Sequence, residues 1–96
     1  MDEVTLQPGT RMTVQGELLS KAWLILEGRA MVSADARPLR IAGQGDVVGL
    51  TSAAGAPLAG ETTIALSAVR AFETDALGLD QLMAAASARR RSSAAG

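Results

Sequence analysis

A pair of carboxylates, three adjacent arginines and many hydroxyl groups are the side chains of this sequence that could do chemistry. Glu73 and Asp75 stand two residues apart, a spacing at which a general acid and a general base can share one face of a strand. Such a pair works in catalysis only where the two environments give the carboxylates different proton affinities. Residues 70–77 have the pattern of a last strand, so we predict that both carboxylates lie on a solvated face without a catalytic role.

The composition removes most other catalytic chemistry. The 96 residues include no cysteine and no histidine, which excludes a thiolate nucleophile, a Cys-type zinc site and the usual general base at neutral pH. The serines form no Gly-x-Ser-x-Gly elbow. We therefore predict a protein that is not an enzyme and that has no metal site and no cofactor.

Charge is unevenly distributed along the chain. The net charge is −1, and Arg89, Arg90 and Arg91 hold three of the nine basic residues. These arginines could contact phosphates or an acidic partner, but we predict a solvated helix end, where they complement the helix dipole. The remaining body is acidic, which argues against a nucleic-acid-binding surface.

Glycine and proline divide the chain into strand-length segments. Residues 22–26 are apolar at every position, which predicts a central strand covered on both faces. Glu27-Gly28 follows as a tight turn, because glycine adopts positive φ at little cost, and we predict a β-hairpin there. A second turn is predicted at Gly45, with Asp46 stabilising it through its side chain.

The pattern predicts eight short strands, at residues 4–6, 10–14, 22–26, 29–33, 39–41, 47–48, 62–68 and 70–77. Residues 34–38 and 51–60 are predicted loops. In the seventh strand, Ile64 and Leu66 share one face, and Thr63 and Ala65 share the other. The fold class is therefore all-β with one C-terminal helix: a jelly roll, or double-stranded β-helix, of about eight antiparallel strands.

The C-terminal helix is predicted to begin with Asp80 as its N-cap and Leu79 as a hydrophobic staple. Leu82, Met83 and Ala86 form its apolar stripe. We predict one domain over residues 1–88 and a basic, disordered tail over residues 89–96. The acidic start lacks the apolar region of a signal peptide, and no apolar run is long enough for a bilayer. These features predict a cytoplasmic protein, bacterial by default.

Three segments in order resemble the cyclic-nucleotide-binding domains. Residues 23–30, Trp-Leu-Ile-Leu-Glu-Gly-Arg-Ala, are similar to that family's aromatic-Ile-Leu-Glu-Gly-Val strand pair. The Pro-Gly at residues 8–9 with the Gly-Glu at 16–17 resembles its opening turns, and residues 43–49 resemble its Gly-Pro-Gly-Asp-hydrophobic-hydrophobic-Gly run. The resemblance covers residues 4–86 and implies the β-roll of the cAMP receptor protein's sensor domain. Metal-dependent cupins share a related roll, but they need a His-rich ligand set. This chain has no histidine, so the sequence argues against a cupin enzyme.

The family's ligand groups follow directly after Gly49. The resemblance implies a Glu there that binds the ribose 2′-hydroxyl, and further along an Arg that pairs with the cyclic phosphate. This sequence has Leu50 at the Glu position, and the Arg position falls near Thr62, with Thr63 next. The residues predicted to line any remaining pocket are Gly49, Leu50, Thr51, Thr62 and Thr63.

Residues 41–69 contain neither lysine nor arginine. A buried phosphate without a counter-charge faces a desolvation cost of several kcal/mol, although Thr63 and backbone N–H groups could hold one weakly. We therefore predict no high-affinity binding of cAMP or cGMP. The family's transcription factors also carry a long dimerisation helix and a helix-turn-helix domain, so this chain alone is predicted not to bind DNA.

Two hypotheses for function follow. The first is a non-catalytic regulatory or assembly module that acts by homodimerisation or by binding a protein partner, with Trp23, Leu82 and Met83 as the predicted interface residues. The second is a sensor of a small effector that uses a modified pocket.

Overall fold

The structure, a computed structural model, describes residues 2–50 and 58–95, with side chains through Arg89. These residues form eight strands, a short 3₁₀ turn and one α-helix. In chain order they are β1 (Asp2–Leu6), β2 (Arg11–Thr13), β3 (Ala22–Glu27), β4 (Ala30–Ala34), β5 (Arg37–Ala42), β6 (Val47–Gly49), β7 (Thr62–Ala65), β8 (Val69–Thr74), the 3₁₀ turn (Ala76–Gly78) and α1 (Leu79–Ala95).

The strands build two four-stranded antiparallel sheets. The first sheet has the order β1-β8-β3-β6, and the second has the order β2-β7-β4-β5. This arrangement confirms the predicted all-β fold class with a single C-terminal helix. Strands that are adjacent in a sheet are mostly distant in the sequence, as in β1 with β8 and β2 with β7.

Strand β3 is a central strand of the first sheet, as predicted. It pairs with β8 on one side and β6 on the other, and residues 22–26 are all buried. Trp23 and Ile25 join the core between the two sheets. Leu24 and Leu26 join a second core beneath α1, with Leu82 of that helix. A strand with an apolar residue at every position is thus covered on both faces.

The predicted hairpin after β3 is wrong, because β3 and β4 belong to different sheets. The turn itself is present, with Gly28 at φ +98°. A Cβ on Gly28 would lie 2.3 Å from the carbonyl oxygen of Ala68, so the backbone passes close to another strand connection as it changes sheets. A Glu-Gly turn signal is the same for a hairpin and for such a corner.

The connection from β4 to β5 is a tight hairpin and is shorter than the predicted loop. Asp35 and Ala36 both have positive φ, at 51° and 61°, which matches the twist of a two-residue turn. Strand β5 therefore begins at Arg37 and includes Pro38. Proline is tolerated because β5 is the edge strand of its sheet.

The helix begins differently from the prediction. Strand β8 ends at Thr74, and Asp75 accepts hydrogen bonds from the backbone N–H groups of Leu77 (3.0 Å) and Gly78 (3.3 Å). This carboxylate caps the 3₁₀ turn, and α1 continues directly from that turn. Asp80 is therefore an acidic residue of the first helical turn and not the N-cap.

The helix also continues beyond the predicted boundary at residue 88. It ends at Ala95, so the backbone of residues 89–95 is helical rather than a disordered tail. Residues 79–95 contain neither glycine nor proline, and alanine and arginine are strong helix formers. Arg89 also lies over the ring of Phe72, 5.9 Å from its centroid. Within the described residues, no helix has the length and apolar character needed to span a membrane.

Candidate functional site

The end of β6 is where the predicted pocket should begin. Gly49 has φ +95°, and a Cβ there would lie 2.3 Å from the carbonyl oxygen of Lys21. The backbone N–H of Leu50 donates a hydrogen bond to that same oxygen, at 3.0 Å. Leu50 is 7% exposed and packs in the core beneath α1 with Leu79 and Leu82. The side chain of Leu50 therefore contributes to the packing of α1 against the first sheet.

The two threonines at the other end of the predicted pocket are already hydrogen-bonded. Thr62 accepts a hydrogen bond from the backbone N–H of Gln15, at 2.9 Å. Thr63 is 2% exposed, and its hydroxyl lies 3.1 Å from the hydroxyl of Thr13. Successive residues of a strand face opposite sides, so Thr62 lies on the outer face of the second sheet and Thr63 between the sheets.

The structure places the predicted pocket residues in two groups. Gly49 ends a strand of the first sheet, and Leu50 follows it, whereas Thr62 and Thr63 begin a strand of the second sheet. Thr51 lies outside the described residues. Ala59, which precedes β7, lies beside the segment after β2. Its backbone N–H donates a hydrogen bond to the carbonyl oxygen of Glu17, at 2.8 Å.

A guanidinium reaches this end of β7 from β5, and it belongs to Arg40, which is not among the residues predicted for the site. Arg40 lies in one cross-strand row with Val32 and Thr63. Its two terminal nitrogens lie 3.3 and 3.4 Å from the two carboxylate oxygens of Glu61, a two-point geometry that fits a guanidinium to a carboxylate. Both side chains are about half exposed. The pair depends on the register of three strands, which the sequence pattern does not reveal.

A second polar cluster forms around the indole of Trp23, whose side chain belongs to the core between the two sheets. The indole N–H of Trp23 donates to Glu73 at 2.8 Å, and the ammonium of Lys21 donates to the other carboxylate oxygen at 3.1 Å. Glu73 is thus a partly buried acceptor, whereas Asp75 caps the 3₁₀ turn. The predicted shared, solvated face is wrong for this pair because β8 ends between the two residues.

A shallow cavity opens beside this cluster. Its volume is about 120 Å³, and its lining includes Thr13, Lys21 and Trp23. Pockets for drug-sized ligands typically measure about 300–1,000 Å³, so this cavity is suited to a few waters or a small ion. Of the residues predicted to bind a ligand, the four that the structure describes, Gly49, Leu50, Thr62 and Thr63, are not part of its lining.

Glu73→Ala is expected to lower the free energy of unfolding by about 1–2 kcal/mol, because the partly buried indole N–H of Trp23 loses its acceptor. Glu73→Gln keeps a carbonyl oxygen for that N–H and should lose less than half as much. Urea unfolding followed by Trp23 fluorescence measures both variants. Equal losses in the two variants would mean that the ion pair with Lys21 carries the effect.

The interface residues predicted from sequence lie in different environments. Trp23 is 7% exposed and Leu82 is fully buried, so both side chains pack inside this chain. Met83 is 36% exposed on the outer side of α1. The sequence pattern placed Met83 in the apolar stripe with Leu82, but the stripe that faces the sheet consists of Leu79, Leu82 and Ala86.

Comparison with known proteins shows the fold. No protein-family model and no curated protein matches this sequence. Many solved structures do match, including cAMP-bound PfPKA-R, with 16% identity, a TM-score of 0.75, and coverage of 88% of this chain and 30% of that one. A PKAR CBD2 domain bound to Sp-2Cl-cAMPS has 17% identity and a TM-score of 0.76, over 86% of this chain and 57% of that one.

A third similar structure is the regulatory subunit of a cAMP-independent protein kinase A from Trypanosoma brucei. It has 19% identity and a TM-score of 0.75, over 96% of this chain and 35% of that one. The chain thus spans less than two thirds of the length of each of these three structures. These comparisons confirm the resemblance at the level of fold: the chain has the β-roll of cyclic-nucleotide-binding domains.

Proposed function

We propose that this chain is a non-catalytic regulatory or assembly module that acts by contact with protein and does not bind cAMP or cGMP with high affinity. The observation that carries the proposal is the position of Leu50. It follows Gly49, where the resembling family has the carboxylate for the ribose, and its side chain is buried against α1. An aliphatic side chain in that place accepts no hydrogen bond from a sugar hydroxyl.

The threonines add to this argument. The hydroxyls of Thr62 and Thr63 are engaged by Gln15 and Thr13. Thr62 is the acceptor in its contact, so its O–H could still donate to a phosphate, but a neutral hydroxyl supplies no counter-charge. Arg40, the guanidinium in the row of Thr63, is already paired with Glu61, so the phosphate would also lose its hydration with little in return.

One similar structure supports regulation without the usual ligand. The Trypanosoma brucei protein is described as a regulatory subunit of a cAMP-independent protein kinase A. This fold therefore occurs in a regulatory protein that does not depend on cAMP. The likeness is one of fold alone, so for the present chain the same role is part of the proposal.

A second candidate function rests on Arg40. This guanidinium stands in the row of Thr63, but Glu61 occupies it from 3.3 and 3.4 Å. A small anionic effector could bind Arg40 by displacing the carboxylate of Glu61. In this candidate the chain is a sensor, and the carboxylate of Glu61 competes with the effector for Arg40.

Thermal unfolding with cAMP, cGMP and inorganic phosphate tests both candidates. We expect no change in the unfolding temperature of the wild-type chain. A ligand that binds only the folded state stabilises it by about 2.7 kcal/mol at 100 times its dissociation constant, which corresponds to roughly 10–20 °C for a domain of this size. A shift of that size with micromolar cAMP would refute the main proposal.

The variant Glu61→Gln distinguishes the candidates, because it removes the competing charge from Arg40. A ligand response that appears only in Glu61→Gln supports the sensor. The matched control is Glu27→Gln, which removes an exposed carboxylate from its pair with Arg70 at 3.5 Å. A response of equal size in both variants would indicate nonspecific anion binding and would count against the sensor.

A further inference from the structure

The two sheets differ in charge. The strands of the first sheet contain four acidic residues and one arginine. The strands of the second sheet contain three arginines and no acidic residue. The chain as a whole has a net charge of −1, so the positive charge of the second sheet is a local property of that sheet and does not follow from the composition.

The outer side of the second sheet is also apolar. The buried residues on its inner side are mostly small or hydroxyl-bearing: Thr13, Ala30, Ala42, Thr63 and Ala65. On the outer side, Ile64, Met31 and Ile41 are cross-strand neighbours in one row. Ile41 and Leu66 are 47% and 51% exposed. The sequence alternation predicted the two sides of β7 correctly, but the smaller residues of that strand are the ones that point inward.

Two exposed arginines stand on this outer side. Arg11 of β2 is the cross-strand neighbour of Ile64, so it extends the apolar row. Arg29 directly precedes β4, and its carbonyl oxygen accepts a hydrogen bond from the N–H of Leu66 at 2.9 Å. Neither arginine forms an ion pair within the described residues. The surface that we call the basic apolar face consists of Arg11, Arg29, Met31, Ile41, Ile64 and Leu66.

The acidic residues that directly flank strands of this sheet, Glu61 and Asp35, do not pair with the arginines of the face. Glu61 pairs with Arg40. Asp35 lies in the turn after β4, where the amide of Gln15 donates to its carboxylate at 2.9 Å. Arg37, two residues further on, is exposed and adds a positive charge beside Asp35. The basic apolar face therefore keeps its positive charge.

The spacing of the two arginines indicates what fits between them. Strand β7 separates β2 from β4, and Arg29 lies two residues from the row of Arg11. With strands about 4.8 Å apart and a rise of about 3.3 Å per residue, the two positions are about 12 Å apart. Ile64 and Leu66 lie between them on β7. In an α-helix, residues i and i+7 share one face about 10.5 Å apart, with i+3 and i+4 between them.

We propose that the basic apolar face binds an acidic amphipathic helix of a partner protein. Carboxylates at positions i and i+7 of that helix pair with Arg11 and Arg29, and apolar residues at i+3 and i+4 pack on Ile64 and Leu66. Exposed apolar patches of this kind mark contact surfaces, and the charge of this one selects a partner of opposite sign. The inference rests on the proposed function, because it names the partner of the regulatory or assembly module.

Three other occupants fit this face less well. A second copy bound face to face would bring arginines together, with no carboxylate of the face to oppose them. A membrane surface is typically bound by about four to eight basic residues or by aromatic anchors, whereas Trp23 and Phe72 belong to the first sheet. An added strand binds at a sheet edge, whereas Met31 and Ile64 lie on the two central strands.

The size of the face determines the expected affinity. Four strands about 4.8 Å apart and five residues with a rise of about 3.3 Å span roughly 200 Å². Standard interfaces bury about 800 Å² on each partner. We therefore expect a weak complex, with a dissociation constant of about 0.1–1 mM at low salt.

An NMR titration of the ¹⁵N-labelled wild-type chain with a synthetic peptide tests the inference. The peptide is an alanine-rich helix of about 18 residues that contains the segment Glu-Ala-Gln-Leu-Leu-Gln-Ala-Glu. We expect saturable changes in amide chemical shift, largest at Met31, Ile64 and Leu66. A matched peptide with glutamine in place of both glutamates should bind about five- to tenfold more weakly, because it loses two exposed ion pairs.

Substitutions in the chain assign the binding to the face. Arg11→Gln and Arg29→Gln should each weaken binding about threefold, whereas the control Arg89→Gln, which removes an exposed arginine from α1, should bind as the wild type does. Leu66→Ser should weaken binding about fivefold. Its matched control is Leu77→Ser, because Leu77 is 95% exposed on the 3₁₀ turn outside the face. Thermal unfolding verifies that each variant is folded, and the two peptides test the inference on the wild type itself.

Several outcomes would overturn the inference. They are no shift change with about 5 mM peptide, equal binding of the two peptides, shift changes confined to the first sheet, and variants of the face that bind as their controls do. Self-association of the wild type that Leu66→Ser abolishes would replace the helix by a second copy. Binding to phosphatidylserine vesicles that Arg11→Gln and Arg29→Gln abolish would replace it by a membrane.

Failure of this inference is distinguishable from failure of the proposed function. A chain that binds neither the peptide nor cAMP would overturn the acidic helix and leave the proposed function with a different protein partner. A thermal response to micromolar cAMP would refute the proposed function whether or not the peptide binds.

Discussion

Gly49→Ala is expected to lower the free energy of unfolding by at least about 4 kcal/mol, a large part of the roughly 5–15 kcal/mol typical of a domain. The left-handed conformation at φ +95° costs an alanine about 1–2 kcal/mol. The new Cβ would also lie 2.3 Å from the carbonyl oxygen of Lys21. That oxygen belongs to the backbone and accepts the hydrogen bond from Leu50, so it cannot move away cheaply.

Gly45→Ala is the matched control. Gly45 has nearly the same φ, +89°, but a Cβ there meets no atom within 4 Å. This variant should lose only the conformational cost of about 1–2 kcal/mol. Circular dichroism during thermal unfolding measures both variants. Equal losses would show that the close approach to Lys21 is not what requires glycine at position 49.

Leu82→Ala is expected to cost about 3 kcal/mol and to lower the unfolding temperature by roughly 12–24 °C. Leu82 is fully buried between α1 and β3, in the same core as Leu24 and Leu50. Its removal leaves a cavity at the centre of the only surface by which the described part of α1 packs on the first sheet. Urea unfolding followed by Trp23 fluorescence gives the change in free energy.

Met83→Ala, at the next residue of the same helix, is the control. Met83 is 36% exposed, and alanine has the higher helix propensity, so the change in free energy should stay within about 0.5 kcal/mol. A loss in Met83→Ala as large as that in Leu82→Ala would mean that the face assigned to α1 is wrong.

The sequence predicts the strands and the helix of this fold well, but it predicts less well which strands pair with one another. Residues 22–26 are apolar at every position, and this composition is enough to predict a buried central strand. The Glu27-Gly28 turn predicts a change of direction, but not that β3 and β4 enter different sheets. That outcome depends on which distant strands, β8 and β7, pair with them, and no local pattern contains this information.

The candidate site was likewise predictable only where the local order of residues was sufficient. That no carboxylate follows Gly49 is evident from Leu50 alone, because this observation needs only the order of residues. The pair of Arg40 with Glu61 joins positions 21 residues apart through the register of β5, β4 and β7. Asp75 as the cap was also missed, since Asp75 and Asp80 both precede helical residues and only the end of β8 decides between them.

The sheet order has a consequence for how the chain acquires its structure. Strand β8 lies between β1 and β3, so the first sheet joins residues 2–6 to residues 69–73. During synthesis, β1 and β3 therefore have no central partner until nearly the whole domain has emerged from the ribosome. Long loops must close before these pairings gain any energy, which places such topologies among the slow folders, on the scale of milliseconds to seconds. Until then, the apolar strand at residues 22–26 is exposed and is the segment that a chaperone would be expected to protect.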